Sequence, residues 1–176
     1  MSKILDNLYL SPITIAKDEK FFKKNQVTHV LIAAKGLKQY QKGVKYHQLD
    51  LVDNPGANIA KYFIESIKFI DEAISLGQPV LVHCVGGVSR SSSIVIAYVM
   101  FKLALTFEKA FELVKGNHER ASPNAGFAAQ LKQFEVCVLE YQKQAKLEEK
   151  EEINYKLLEF LIIENIKRIS KKEKEL

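Results

Sequence analysis

The stretch Val80-Leu81-Val82-His83-Cys84-Val85-Gly86-Gly87-Val88-Ser89-Arg90-Ser91-Ser92-Ser93, followed at once by Ile94-Val95-Ile96-Ala97-Tyr98-Val99-Met100, decides the fold. It opens as a short apolar run, passes through a cysteine and two glycines, and continues as a long apolar segment. That pattern is a strand, a tight loop and a buried helix. A loop that enters a helix N-terminus turns several backbone N–H groups toward one point, and the helix dipole adds about half a positive charge there. Gly86 and Gly87 free the backbone for positive φ and for close approach to a ligand. Cys84 ends the strand and Arg90 begins the helix, so the two face each other across the loop. The dipole and the guanidinium both favour thiolate over thiol, and the guanidinium fork suits two oxygens of a phosphate. The stretch reads as an anion site with a nucleophile beneath the anion.

Working outward, Ile4-Leu5 and Leu8-Tyr9-Leu10 flank Asp6-Asn7 as a strand pair joined by a turn. Ser11-Pro12 opens a helix to about Lys24. Val27 to Ala33 is β-branched and almost continuously apolar, as in a strand covered on both faces, and Gly43 to Leu51 alternates as a further strand. Ile59, Phe63, Ile67, Ile70 and Ile74 form one helical stripe, with Asn58 as N-cap and Gly77 just past the end. Ser91 to about Leu103 is nearly all apolar and therefore a central helix. Thr106 starts the next helix, and Ser122-Pro123-Asn124 opens another through Phe127, Leu131, Phe134 and Val138. Strands alternating with helices predict an α/β fold rather than a helical bundle, with the anion loop at the carboxyl end of a strand.

The chain has 176 residues, 47% of them hydrophobic, enough for one domain of ordinary size. A net charge of +5 with 26 basic and 21 acidic residues gives a mildly basic surface, suited to phosphorylated substrates and too diffuse for nucleic acid. Two cysteines, Cys84 and Cys137, make neither a disulfide framework nor a metal spacing. No apolar run approaches the roughly 18 residues of a membrane span. The N-terminus lacks a signal pattern and has Ser2 where myristoylation needs Gly. These features predict a reducing compartment: the cytoplasm, with access to the nucleus.

His83-Cys84, five residues and then Arg90-Ser91 match the H-C-x-x-x-x-x-R-S signature of the cysteine-dependent protein phosphatases. The wider text from Val82 to Ser93 resembles the small atypical dual-specificity phosphatases most closely. The resemblance covers about Lys3 to Gln142. It implies a central twisted, mostly parallel sheet of four or five strands flanked by helices, one on one side and a cluster on the other. It also implies dephosphorylation of phosphotyrosine, phosphoserine and phosphothreonine in proteins through a cysteinyl-phosphate, with no metal and no cofactor. Cys84 would be the nucleophile, and Arg90 with the N–H groups of Val85, Gly86, Gly87, Val88 and Ser89 the phosphate holder. Ser91 would donate to the sulfur, and His83 would orient the loop. Asn124 has two readings, a brace for the loop and an N-cap.

The acid comes from the residues before the long helix. Asp53 lies in the turn-rich Leu51-Val52-Asp53-Asn54-Pro55-Gly56, where a side chain can swing over the pocket mouth, and the family places its catalytic Asp in this loop. Asp50, within the strand pattern, is the competitor and reads as a structural contact. The loop between Cys84 and Arg90 carries no charge, which favours a monophosphate on protein over an inositol lipid with several phosphates. Rival readings are a catalytically weak phosphoprotein-binding module, a phosphatase for a non-protein ester, and a sulfur transferase. The last needs no acid and lacks the Arg-Ser pair.

Residues 1–142 read as the catalytic domain and 143–176 as a charged, then amphipathic, helical extension. In the stretch 153–169, Leu158, Leu161, Ile162, Ile166 and Ile169 share one helical face. Such a face is covered in water, by the catalytic domain, by a second chain or partner, or by a membrane surface. His29, His47 and His118 show no ligand spacing and read as surface or satisfied partial-core residues, and Cys137 as packing.

Overall fold

The structure, a computed structural model, describes residues 1–147 and 154–172. Their sheet has five strands: β1 (Ser2–Leu5), β2 (Leu8–Ser11), β3 (His29–Ile32), β4 (Lys45–Gln48) and β5 (Val80–His83), in the order β1-β2-β5-β3-β4. β1 pairs antiparallel with β2 through a turn in which Asn7 takes φ 61°, and the other pairings are parallel. β3 and β5 are buried at every position, which is why their sequences are continuous apolar runs rather than alternating ones. β5 sits at the centre, although it is the last strand in the sequence. The loop after it therefore leaves the sheet between the carboxyl ends of β2 and β3, at the crevice where α/β sheets place ligands.

Two helices precede β3, not one. α1 (Ile13–Ala16) stops at Lys17, and α2 (Glu19–Asn25) restarts with Asp18 as N-cap, its carboxylate accepting from the N–H groups of Lys20 (2.9 Å) and Phe21 (3.3 Å). A short acidic side chain that satisfies two free N–H groups is a helix start, and it overrides the run of helix formers around it. β4 is also shorter than the alternation suggests. It ends at Gln48, so Asp50 lies outside the strand, exposed and ion-paired with Lys35 at 3.1 Å. This pairing is the structural contact expected of it.

α3 (Phe63–Ser75) follows a 3-10 turn at Ala60–Tyr62, and Asn58 caps that turn through the N–H of Lys61 (3.2 Å). α4 (Arg90–Leu103) is the central helix, buried continuously from Ser91 to Phe101. α5 (Phe107–Asn117) is capped by Thr106, whose hydroxyl accepts from Lys109 N–H at 3.4 Å, and Glu135 accepts from Phe107 N–H, another free donor of the first turn, at 2.7 Å. α6 spans Ala125–Leu147 and runs unbroken through position 142.

α7 (Tyr155–Lys172) packs on α3 and α6, which buries or half-buries Leu158, Leu161 and Ile162; the side chains of Ile166 and Ile169 lie outside the described residues. Leu158 is fully buried. Asp71 of α3, only 5% exposed, takes Lys102 Nζ at 2.7 Å and the hydroxyls of Tyr98 (3.1 Å) and Tyr155 (3.3 Å). A buried carboxylate needs such partners, and these pin the register of α7 against α3 and α4. Burial pushes both phenols above their ordinary range, and the charge of Asp71 adds to it. Residue 153 and the charged residues from 148 to 152 lie outside the described residues.

Candidate active site

Cys84 follows the last residue of β5 and is 2% exposed. Two donors reach its sulfur: the Gly87 N–H at 3.2 Å and the Ser91 hydroxyl at 3.1 Å. In both hydrogen bonds the sulfur is the acceptor.

The loop's carbonyls are tied outward one by one. The Cys84 carbonyl accepts from His83 Nδ1 (3.1 Å), Val85 from Ile13 N–H (3.0 Å), Gly87 from His118 Nε2 (2.8 Å) and Ser92 Oγ (3.2 Å), and Val88 from Ser122 N–H (2.8 Å). In a trans peptide the N–H points opposite to the C=O. Pinning these carbonyls therefore turns the N–H groups of Val85, Gly86, Val88 and Ser89 away from the braces, which makes the loop a cradle of donors. Gly87 takes φ +67°, and a Cβ there would lie 2.7 Å from the backbone of Ser11 and Pro12. Gly86 does not have positive φ, and a Cβ on it makes only an ordinary 3.5 Å contact. The close approach falls on one glycine of the two.

The three serines that open α4 are buried, and each hydroxyl has a task. Ser91 donates to the sulfur, Ser92 to Gly87 and Ser93 to the Ser89 carbonyl at 2.8 Å.

Asp53 reaches the same loop. Its Oδ1 accepts from Ser89 Oγ (2.8 Å) and Asn124 Nδ2 (2.9 Å), and its Oδ2 lies 3.7 Å from Arg90 Nε. The Arg90 side chain is 14% exposed. Its Nη1 donates to the Leu51 carbonyl at 3.4 Å, and its Nε is buried without a hydrogen-bond partner. A buried guanidinium N–H beside a cradle of backbone donors suits an anion with several oxygens. Asn124 fills both of its readings: its Oδ1 caps α6 through Phe127 N–H (3.0 Å), its own N–H donates to Ser89 Oγ (3.2 Å), and its amide grips Asp53 directly.

Gln130 escaped the sequence reading, and His118, read there as a surface or satisfied partial-core residue, is buried, bonded at both ring nitrogens and braces the loop. Gln130, on the buried stripe with Phe127, Leu131 and Phe134, binds the backbone after Asp53; a polar residue on an apolar face was the signal. His118 sits in the polar run Gly116-Asn117-His118-Glu119-Arg120 and gave none. Its Nε2 must donate, because its partner is a carbonyl, so Nδ1 of the neutral ring accepts from Ser2 Oγ at 2.9 Å. Burial pushes His118 down, with the N-terminal ammonium and Arg120 adding to it against the bond to Gly87. Burial also lowers His83, against its bond to Cys84, and lowers His29, with help from Lys45.

The sign of the linkage follows from these directions. Below the ordinary value of 6.5 the unfolded chain binds protons that the folded chain refuses, so stability is full above that value and falls as pH drops toward the lowered folded values. The melting temperature should fall between about pH 7.5 and 5.5, and His118→Gln should flatten part of that slope. Differential scanning fluorimetry across that range checks it.

A buried cysteine at the head of a strand-loop-helix braced by its carbonyls, with a carboxylate reaching the loop from another segment, has the layout of a phosphatase of the cysteine class. Residues 8–137 match the family "Dual specificity phosphatase, catalytic domain". The chain is 42% identical over 135 residues to human dual specificity protein phosphatase 22, covering 77% of this chain and 73% of that protein. It is 41% identical over 139 residues to dual specificity protein phosphatase 1B of Arabidopsis thaliana, covering 78% and 83%. The crystal structure of DUSP15 superposes with a TM-score of 0.78 at 33% identity, covering 83% of this chain and 94% of that one. The chain belongs to the dual-specificity protein phosphatases, hydrolases that remove phosphate from tyrosine and from serine and threonine in proteins.

Proposed function

We propose that Cys84 is the nucleophile of this reaction, Asp53 its acid and then its base, and Arg90 with the loop N–H groups its phosphate holder. The supporting observation is convergence: the sulfur with two donors, the guanidinium with a free buried N–H and the carboxylate all meet at Cys84–Arg90. In the first step the Cys84 sulfur forms an S–P bond while the P–O ester bond breaks. The electron pair goes to the departing oxygen, which takes a proton from Asp53. Because Oδ1 already accepts two hydrogen bonds, Oδ2 carries that proton. In the second step a water oxygen bonds to phosphorus, its proton passes to Asp53, and the S–P bond breaks with its pair returning to sulfur. The Ser91 hydroxyl and Gly87 N–H stabilise the departing thiolate. Throughout, Arg90 and the loop N–H groups hold the equatorial oxygens, preorganised by the pinned carbonyls. His83 supports the loop through the Cys84 carbonyl.

The uncharged positions Val85 to Ser89 favour a single phosphate presented by a protein chain. A nucleophilic Cys84 must stay reduced to react, which fits a reducing compartment; we place the enzyme in cytoplasmic signalling, with access to the nucleus. Initial rates on phosphotyrosyl, phosphothreonyl and phosphoseryl peptides, an inositol phospholipid and a 5′-phosphorylated RNA test the substrate class. The reading expects turnover of the peptides; turnover of the lipid or the RNA alone would overturn it.

A further inference from the structure

The loop that carries Asp53 runs from the end of the sheet to α3 with little regular structure of its own. Its internal bonds are short-range, Asn54 N–H to Val52 at 3.1 Å and Ala57 N–H to Asn54 at 2.9 Å. Besides Ser89 and Arg90, which hold its first residues, the start of α6 and the cap before it fix the loop. Asn124 grips the carboxylate of Asp53. Gly126 gives Pro55 a place to lie, since a Cβ there would run into the Pro55 carbonyl. Gln130 closes the far end with three bonds: its Oε1 accepts from Ile59 N–H at 2.8 Å and Ala60 N–H at 3.0 Å, and its Nε2 donates to the Ala57 carbonyl at 2.9 Å. Both acceptor sites of the amide oxygen and one amide N–H are used, together on three residues of one segment.

We infer that Gln130 is a positioning residue for the acid step, holding the Asp53 loop closed over the phosphate site so that the carboxylate meets the departing oxygen without a separate closing motion. The inference rests on Asp53 being the acid. Its physical basis is that a proton donor must stand within hydrogen-bond reach of the leaving atom, and that displacing a reacting group by about 1 Å costs on the order of 100-fold in rate. Freed at Ala57, Ile59 and Ala60, the loop keeps Asn124 and Ser89 as tethers at one end, so the loss is partial.

The acid matters only when the leaving group needs a proton, which separates positioning from general structural support. Phenyl phosphate departs as a strongly basic phenolate; 2,4-dinitrophenyl phosphate departs without protonation. Asp53→Asn should lose about 100-fold or more in kcat/KM, which reads only the steps through S–P bond formation, on phenyl phosphate and little on the dinitrophenyl ester. Gln130→Ala should show the same split, about 10- to 100-fold on the first and under about 2-fold on the second. Gln130→Glu, which keeps the acceptor bonds and loses the donor to Ala57, should show a smaller split and serves if the alanine variant does not fold. If Asp53→Asn splits the two substrates and neither Gln130 variant does, Gln130 does not position the acid and the proposal is overturned. If Asp53→Asn itself shows no split, Asp53 is not the acid and the proposal falls with it.

Discussion

Cys84→Ser should abolish turnover, with kcat on an aryl phosphate lowered by about 10⁴-fold or more, while the protein stays folded and still binds inorganic phosphate. The oxygen of serine replaces sulfur in the same place, under the same Gly87 and Ser91 donors. Only those two bonds end on that atom, and a serine oxygen accepts them as the sulfur does. The carbonyls of Cys84, Val85, Gly87 and Val88 are held by His83, Ile13, His118, Ser92 and Ser122, so the N–H groups remain turned into the cradle. What is lost is chemical: a hydroxyl stays protonated where a thiol ionises, and the neutral oxygen is a poor nucleophile. Steady-state kinetics together with phosphate titration by calorimetry check both halves. Equal inactivity of wild type and variant, with phosphate bound by both, would return the protein to the class of phosphate-binding modules.

Arg90→Ala should lower kcat/KM by about 10²- to 10³-fold, and Arg90→Lys should recover little of it. The guanidinium is enclosed, with its Nε buried and unbonded and its Nη1 on the Leu51 carbonyl. It therefore brings a preorganised charge to the phosphate without having to be desolvated during the reaction. A lysine ammonium is a point charge and does not span two oxygens as the planar fork does. The helix itself should survive the substitution, because α4 is held by the buried run from Ser91 to Phe101 and not by its first residue. Circular dichroism with kinetics on the same preparations separates the two effects.

The strand-loop-helix from Val80 to Leu103 was legible because three independent patterns agree there: a continuous apolar run, glycines at the turn, and a second apolar run too long for a strand. The order of the strands was not. That β5 lies between β2 and β3 depends on pairings between segments roughly 50 to 70 residues apart. The break between α1 and α2 was missed because Asp18 lies in a window of good helix formers, and a cap is decided by two short hydrogen bonds rather than by a window average. In the site, Cys84 and Arg90 could be picked from residue type and spacing, Asp53 from its turn-rich loop together with the family resemblance, and Ser91 from the resemblance. The mounting of Asp53 on α6 could not, since Asn124 meets Asp53 across 71 residues of chain and Gln130 meets Ile59 across another 71. The extension followed the same rule. Its stripe announced that one face would be covered, and only the packing of Leu158, Tyr155 and Glu159 against α3 named the cover.

The most direct measurement is to mix the enzyme rapidly with a ³²P-labelled phosphotyrosyl peptide, quench in acid within the first turnover, and map the label. The account predicts phosphate on Cys84 as a thiophosphate ester in the wild-type enzyme, and none on the protein from Cys84→Ser. Full turnover with no label on Cys84, or label on any other residue, would contradict it.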